Sequence, residues 1–143
     1  MGTTAPPGAL SATGLRVAVV AARYNTELVD QLIAGARAAW LAAGGDAGAL
    51  RVARVPGAFE LPLAAQAFVR SGGCDAVVAL GCVIRGDTAH FDFVAGECAR
   101  GLQQVMLATG VPVAFGVLTT ENVAQAQARA APGGLNKGAE ALQ

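Results

Sequence analysis

The chain has 143 residues, with ten basic and ten acidic side chains and no formal net charge, so it offers no footprint for nucleic acid or an anionic membrane. It is 54% hydrophobic and only 14% charged, yet no apolar run reaches the length a bilayer needs. One domain with a sizeable core, whose outer surface is itself partly buried in an oligomer, reconciles these numbers.

Residues 1–14, MGTTAPPGALSATG, are predicted to form a flexible arm, loose or docked on a neighbour, ahead of a single domain over 15–143. Leu15 to Ala22 is a short β-branched run and reads as the first strand. Arg23-Tyr24-Asn25-Thr26 ends it, and Asn25 or Thr26 can cap the helix that follows. In that helix Leu28, Leu32, Ile33, Ala36 and Trp40 line one face, and Glu27, Asp30 and Arg37 another. Gly44-Gly45-Asp46 stops it. Leu50 to Val55 alternates apolar and polar residues, which fits a strand at the edge of a sheet.

Pro56-Gly57-Ala58-Phe59-Glu60 leads into a second helix, with Leu61, Leu63, Ala64, Ala67 and Phe68 as its apolar side and Pro62 tolerated in its first turn. Ser71-Gly72-Gly73 closes it. Ala76 to Ile84 is apolar throughout, as a strand buried on both faces of a parallel sheet must be. Arg85-Gly86-Asp87-Thr88 breaks this run; Gly86 permits tight or left-handed backbone, and Asp87 or Thr88 can cap a helix beginning near Ala89. Phe91, Val94, Ala95, Cys98 and Leu102 then recur as a buried helical stripe. Val113 to Leu118 is a fourth strand, Thr119-Thr120-Glu121-Asn122 a turn and cap, and Val123 to Ala131 a short helix carrying Arg129. Pro132-Gly133-Gly134 breaks it before a last helix over Asn136 to Gln143, which holds Lys137 and Glu140. This order predicts an α/β three-layer sandwich: a four-stranded parallel, flavodoxin-like sheet with helices on both faces.

Parallel strands share a direction, so their following turns share one rim, where open α/β sheets keep their sites. That rim collects Tyr24-Asn25, Gly57 to Glu60, Arg85 to Thr88 with His90, and Thr119-Thr120. The turn before the third helix aims backbone N–H groups and a positive helix end at one spot, a ready anion cradle. His90, the only histidine, sits in the first turn of that helix, and its rim position favours proton transfer over a plain capping role. Other residues have bland alternatives. Phe59 is as readily core as site, Tyr24 is an ordinary rim tyrosine, Glu60 complements a helix dipole, and Arg129 and Lys137 are solvated helix charges. There is no GxGxxG, Walker A loop or nucleophile elbow, which disfavours dinucleotide and NTP chemistry. Cys74, Cys82 and Cys98 have no metal or disulfide spacing; with the absence of a signal pattern at the N-terminus, they point to the cytoplasm.

Arg23-Tyr24-Asn25, VPGAFELPLAAQ (55–66), ALGCVIRGDTAHFDFVAGECARGL (79–102), VPVAFGVLTTEN (111–122) and NKGAEA (136–141) together resemble the lumazine synthase family over nearly the whole chain. The resemblance implies a transferase of riboflavin biosynthesis, using no metal or organic cofactor. It would condense 5-amino-6-(D-ribitylamino)uracil with 3,4-dihydroxy-2-butanone 4-phosphate. It further implies that Tyr24 stacks on the pyrimidine, where relatives more often have Phe or Trp. Asn25, Ala58, Phe59 and Glu60 would line the ribityl and pyrimidine pocket, and Val83 and Ile84 would offer backbone groups to the uracil. Gly86, Asp87 and Thr88 would hold the phosphate by backbone N–H, and His90 would move protons. Phe115, Arg129 and Lys137 would come from the adjacent subunit, with Arg129 paired to the phosphate. The implied partners are other copies of the chain, in a pentamer or an icosahedral capsid of sixty subunits, with riboflavin synthase as a candidate partner. The linker Pro132 to Leu135 carries no insertion, which favours the shell over a free pentamer or decamer. Relatives usually extend the last helix beyond the position of Gln143, and that extension adds pentamer contacts. Two rival expectations are a non-catalytic carrier or shell protein of the same fold, and a relative acting on riboflavin itself.

Overall fold

The apolar runs become the sheet of a computed structural model, which describes residues 10–143. Its strands are β1 (Val17–Ala22), β2 (Leu50–Val55), β3 (Ala76–Ile84) and β4 (Val113–Thr120). They pair in the order β2-β1-β3-β4, all parallel. β1 and β3 are interior and nearly wholly buried, whereas alternating β2 is an edge, as its pattern predicts. β4 is the other edge, and among the described residues no further strand pairs with its outer side. The chain reverses its winding between β1 and β3, which makes the ends of those two strands the switch point where such sheets bind ligands.

Strand side chains alternate, so each strand feeds both faces. Val17, Val19 and Ala21 of β1 join Val78, Leu80 and Cys82 of β3 under α1 (Thr26–Ala42), α4 (Val123–Ala130) and α5 (Lys137–Leu142). Ala18, Val20, Val77 and Ala79 join the opposite core under α2 (Leu61–Arg70) and α3 (His90–Thr109). The result is the three-layer α/β sandwich expected.

Several local expectations are corrected. The first strand starts two residues late, because Arg16 instead exchanges hydrogen bonds with Asp75. β4 continues through Thr119 and Thr120, which pair with Val83 and Ile84 rather than turning. The buried face of α1 is Val29, Leu32, Ile33, Ala36 and Trp40, with Leu28 at its margin. In α2, Leu61 and Ala65 are buried beside Ala64, Phe68 and Val69, while Leu63 and Ala67 face outward. At 3.6 residues per turn, positions 63 and 67 lie opposite 61, 65 and 68. Of the predicted arm, residues 1–9 lie outside the described residues. Ala12, however, is buried in the α1-side core and donates its N–H to the Ala43 carbonyl at 2.9 Å, so this part of the arm is docked on its own chain.

α5 has only six residues and is seated by close backbone approach. A Cβ at Gly138 would overlap the Leu32 carbonyl, and one at Gly35 would overlap the Asn136 amide. Asn136 donates to the Gln31 and Ala130 carbonyls at 3.0 and 2.9 Å and caps α5 by accepting from Ala139 N–H at 2.9 Å. Lys137 is thereby held between two fixed neighbours. Among the described residues no helix is long and apolar enough to cross a membrane.

Candidate active site

The turns after β1, β2 and β3 enclose a cleft of about 740 Å³ at the switch point. Its lining includes Tyr24, Asn25, Ala58, Phe59, Glu60, Val83, Ile84, Gly86, Thr88 and His90. An apolar, partly aromatic wall with a few polar groups is the usual make-up of a small-molecule site.

The turn after β1 is fastened to the neighbouring strand by Arg23 N–H to the Val55 carbonyl, 2.7 Å, and Tyr24 N–H to the Pro56 carbonyl, 3.2 Å. Tyr24 is 75% exposed, so its ring is free to stack. Asn25 does not cap α1 with its side chain. It adopts a left-handed backbone (φ 58°) and sends its amide across the switch point to the Cys82 carbonyl at 2.9 Å. A residue that tolerates this conformation and carries a donor is what the turn requires. After β2, a short 3₁₀ turn over Ala58–Glu60 buries Ala58 and turns Phe59 outward, 60% exposed, so Phe59 is not core. Glu60 accepts Gly57 N–H at 3.0 Å, closing the turn with one carboxylate oxygen. This local bond differs from the helix-dipole role expected of it, and Glu60 also lines the cleft.

β3 delivers the half-buried Val83 and Ile84 and then Gly86 to Thr88, all exposed. Gly86 is not left-handed, and a Cβ there would meet nothing within 4 Å. Its lack of a side chain leaves the backbone open rather than permitting a special turn. Asp87 does not line the cleft. Neither Asp87 nor Thr88 caps α3 in the expected way: the N-cap residue is Ala89, and Thr88 Oγ1 only accepts a long 3.3 Å bond from His90 N–H. His90 opens the helix, exposed and facing the cleft. The start of this long helix contributes roughly half a positive charge.

Among the described residues no lysine or arginine lines the cleft. Arg85, which lies between the lining residues Ile84 and Gly86, is engaged by Glu121 at 2.8 Å and Asp92 at 3.3 Å. Phe115, Arg129 and Lys137 do not line the cleft either. Phe115 lies exposed on edge strand β4, and Lys137 pairs with Glu140 at 2.7 Å. Arg129 is half-buried and donates to the Gln125 carbonyl at 3.1 Å, with no ion pair among the described residues.

Gly57 lines the cleft as its rim position predicts, but sequence reasoning missed part of the wall: Pro56, Cys82, Phe91, Phe93 and Val94 also line it. Val94 packs against the α2/α3-side core as its place in the stripe predicts, and both it and Phe91, half-buried at the start of α3, also border the cleft. Burial pushes the Cys82 and Cys98 thiols up to about 11, so neither supplies a thiolate near neutral pH. Among the described residues no three His, Cys, Asp or Glu side chains gather as metal ligands would.

A doubly wound sheet with an aromatic cleft, an open helix start and one imidazole at its switch point belongs to the α/β proteins that process small molecules at their strand ends. The comparisons narrow this further. The sequence model of the family described as 6,7-dimethyl-8-ribityllumazine synthase matches residues 14–143. Two relatives of that name, from Nitratidesulfovibrio vulgaris strains DP4 and Hildenborough, are each 51% identical over 134 residues, covering 94% of this chain and 86% of the relative. The chain belongs to the 6,7-dimethyl-8-ribityllumazine synthase family.

Proposed function

We propose that the cleft seats the substrates of the family reaction, 5-amino-6-(D-ribitylamino)uracil and 3,4-dihydroxy-2-butanone 4-phosphate, and yields 6,7-dimethyl-8-ribityllumazine, phosphate and water. This is the penultimate step of riboflavin biosynthesis, and the chain is an enzyme of the transferase class. The observation that carries the assignment of residues is the convergence of Tyr24, Phe59, His90 and the start of α3 on one cleft.

In this reading Tyr24 stacks on the pyrimidine, and the Val83 and Ile84 backbone meets the uracil edge. Asn25, Ala58, Phe59 and the free oxygen of Glu60 border the ribityl chain. Gly86, Asp87 and Thr88 present backbone N–H groups to the phosphate. The uracil 5-amine attacks the butanone carbonyl and loses water to give an imine. Removal of an α-proton expels phosphate from the adjacent carbon; the resulting enol tautomerises to a ketone, which a second amine attacks to close the ring with loss of water. Each stage moves a proton near neutral pH, a task suited to the imidazole of His90. Holding two substrates face to face contributes about 7–11 kcal/mol at best, so much of the rate is orientation.

Phosphate departure needs a full positive charge, and among the described residues no guanidinium or ammonium lines the cleft. Arg129 of an adjacent subunit supplies it, with Phe115 and Lys137 from the same neighbour. A homo-pentamer, assembled further into a sixty-subunit shell, accounts for this split and for the exposed Leu63, Phe93 and Leu107. Free, buried Cys82 and Cys98 fit a reducing cytoplasm. Riboflavin synthase is the partner that would take up the product. The test is incubation with both substrates while following the lumazine chromophore and free phosphate. Expected is one phosphate per lumazine; ligand binding without turnover would make the protein a carrier.

A further inference from the structure

We propose that Arg85 is the positioning residue of the phosphate half of the site, acting through a guanidinium clamp on the first turn of α3. The proposal rests on the reading that phosphate binds at residues 86–88. The turn that must be held is poorly held by itself. Its N-cap residue, Ala89, has no side-chain bond to give, and Thr88 offers only the long contact to His90 N–H. Uncapped first turns leave free N–H groups and fray.

Arg85 substitutes for the missing cap from the other side. Its Nη2 meets Asp92 Oδ1 at 3.3 Å, and its guanidinium carbon lies 4.5 Å from the centroid of the Phe91 ring. Phe91 and Asp92 directly follow His90, so one planar group grips the turn that carries the imidazole. The grip is anchored outside the helix. Arg85 Nε donates to Glu121 Oε2 at 2.8 Å, its backbone N–H donates to the Thr120 carbonyl at 2.8 Å, and Glu121 N–H donates to Gln125 Oε1 at 2.9 Å. One isolated surface ion pair contributes little. Here two charge-assisted bonds and a cation–π contact converge on a rigid fork, an arrangement a lysine cannot reproduce. Two carboxylates already engage the guanidinium, so it stands as a brace and not as a phosphate ligand.

The experiment compares wild type with Arg85→Lys and with the double variant Asp92→Asn, Glu121→Gln, which dismantles the clamp while leaving the arginine. Steady-state KM is measured for each substrate, with inhibition by inorganic phosphate and thermal melting alongside. In both variants the KM for the butanone phosphate and the phosphate inhibition constant should rise about tenfold, below the hundredfold that an ångström of misplacement can cost. The KM for the ribitylaminouracil and the melting temperature should stay near wild type. Equal weakening of both substrates, or a phosphate constant unchanged in the variants, would overturn the inference. So would tighter phosphate binding in the carboxylate variant, because a freed guanidinium would then be a direct ligand. Wild-type protein that phosphate does not inhibit would overturn the parent reading as well, whereas wild-type inhibition with unaltered variants overturns this inference alone.

Discussion

At the ends of β1, β2 and β3 one chain builds a cleft complete in shape, with aromatic walls, an open backbone turn and an imidazole. At the β4, α4 and α5 end the same chain carries Phe115, Arg129 and Lys137, and none of them borders that cleft. The first region is held by bonds that cross between strand ends, such as Asn25 to Cys82. The second is held by short helices on an edge strand, with α5 seated through Gly35, Asn136 and Gly138. The difference teaches that shape and charge have separate sources. One chain supplies the shape of the cleft and a partial helix charge, while Arg129 and Lys137 stand apart from it; in the proposed reading the full cation for a departing phosphate comes from another copy.

The largest expected effect tests that division. Arg129→Ala should lower kcat/KM by about 10²–10³-fold, the range for removing one fixed charge stabiliser, while melting stays near wild type. Kinetics close to wild type would remove Arg129 from the site. The next experiment sharpens the comparison. Co-refolding equal amounts of Arg129→Ala and His90→Ala chains should recover about a quarter of wild-type activity, because roughly one site in four pairs two intact contributors. Recovery no better than the mean of the parents would mean that both groups act within one chain. His90→Ala alone should cost about tenfold in kcat/KM by steady-state kinetics, below the usual 10²–10⁴ span, because an exposed imidazole can be partly replaced by water.

Asn25→Ala should raise the KM for the ribitylaminouracil a few-fold and lower stability by about 1 kcal/mol, read by denaturant titration. The smallest effect lies far from the cleft. Arg16 N–H donates to the Asp75 carboxylate and holds its pKa below the ordinary value. A depressed carboxylate contributes stability above its unfolded pKa, near pH 4, and that contribution fades as pH falls through the lower folded value. Asp75→Asn should therefore narrow the fall in melting temperature on acidification, without touching turnover.

Where the sequence was easiest to read, one physical cause dominated. β3 announces itself by nine residues with no polar break, and β2 by an apolar run interrupted by Arg51 and Arg54, so both were legible to the residue. α2 was legible as a helix but not in phase, since Leu61, Leu63, Ala64, Ala65, Ala67 and Phe68 are apolar nearly all round. Asn25 was misread because capping rules look a few residues ahead, whereas its partner Cys82 is 57 residues away. Arg85 went unnoticed for the same reason. Its acidic partner Glu121 is 36 residues on, and only the third dimension brings the two together. The cleft residues at strand ends could be named from topology. Arg129 and Lys137 read as solvated charges from spacing alone, and only resemblance to a family assigned them to a site.

The bare outer side of β4 has a consequence for how the protein comes into being. Among the described residues no strand pairs with that side, so its eight residues present a row of backbone groups without a strand partner beside the exposed Phe115. Such an edge is a template for whatever extended segment meets it first. Newly made chains therefore carry a site for sticky misassociation, and slow expression and cool growth should favour usable protein.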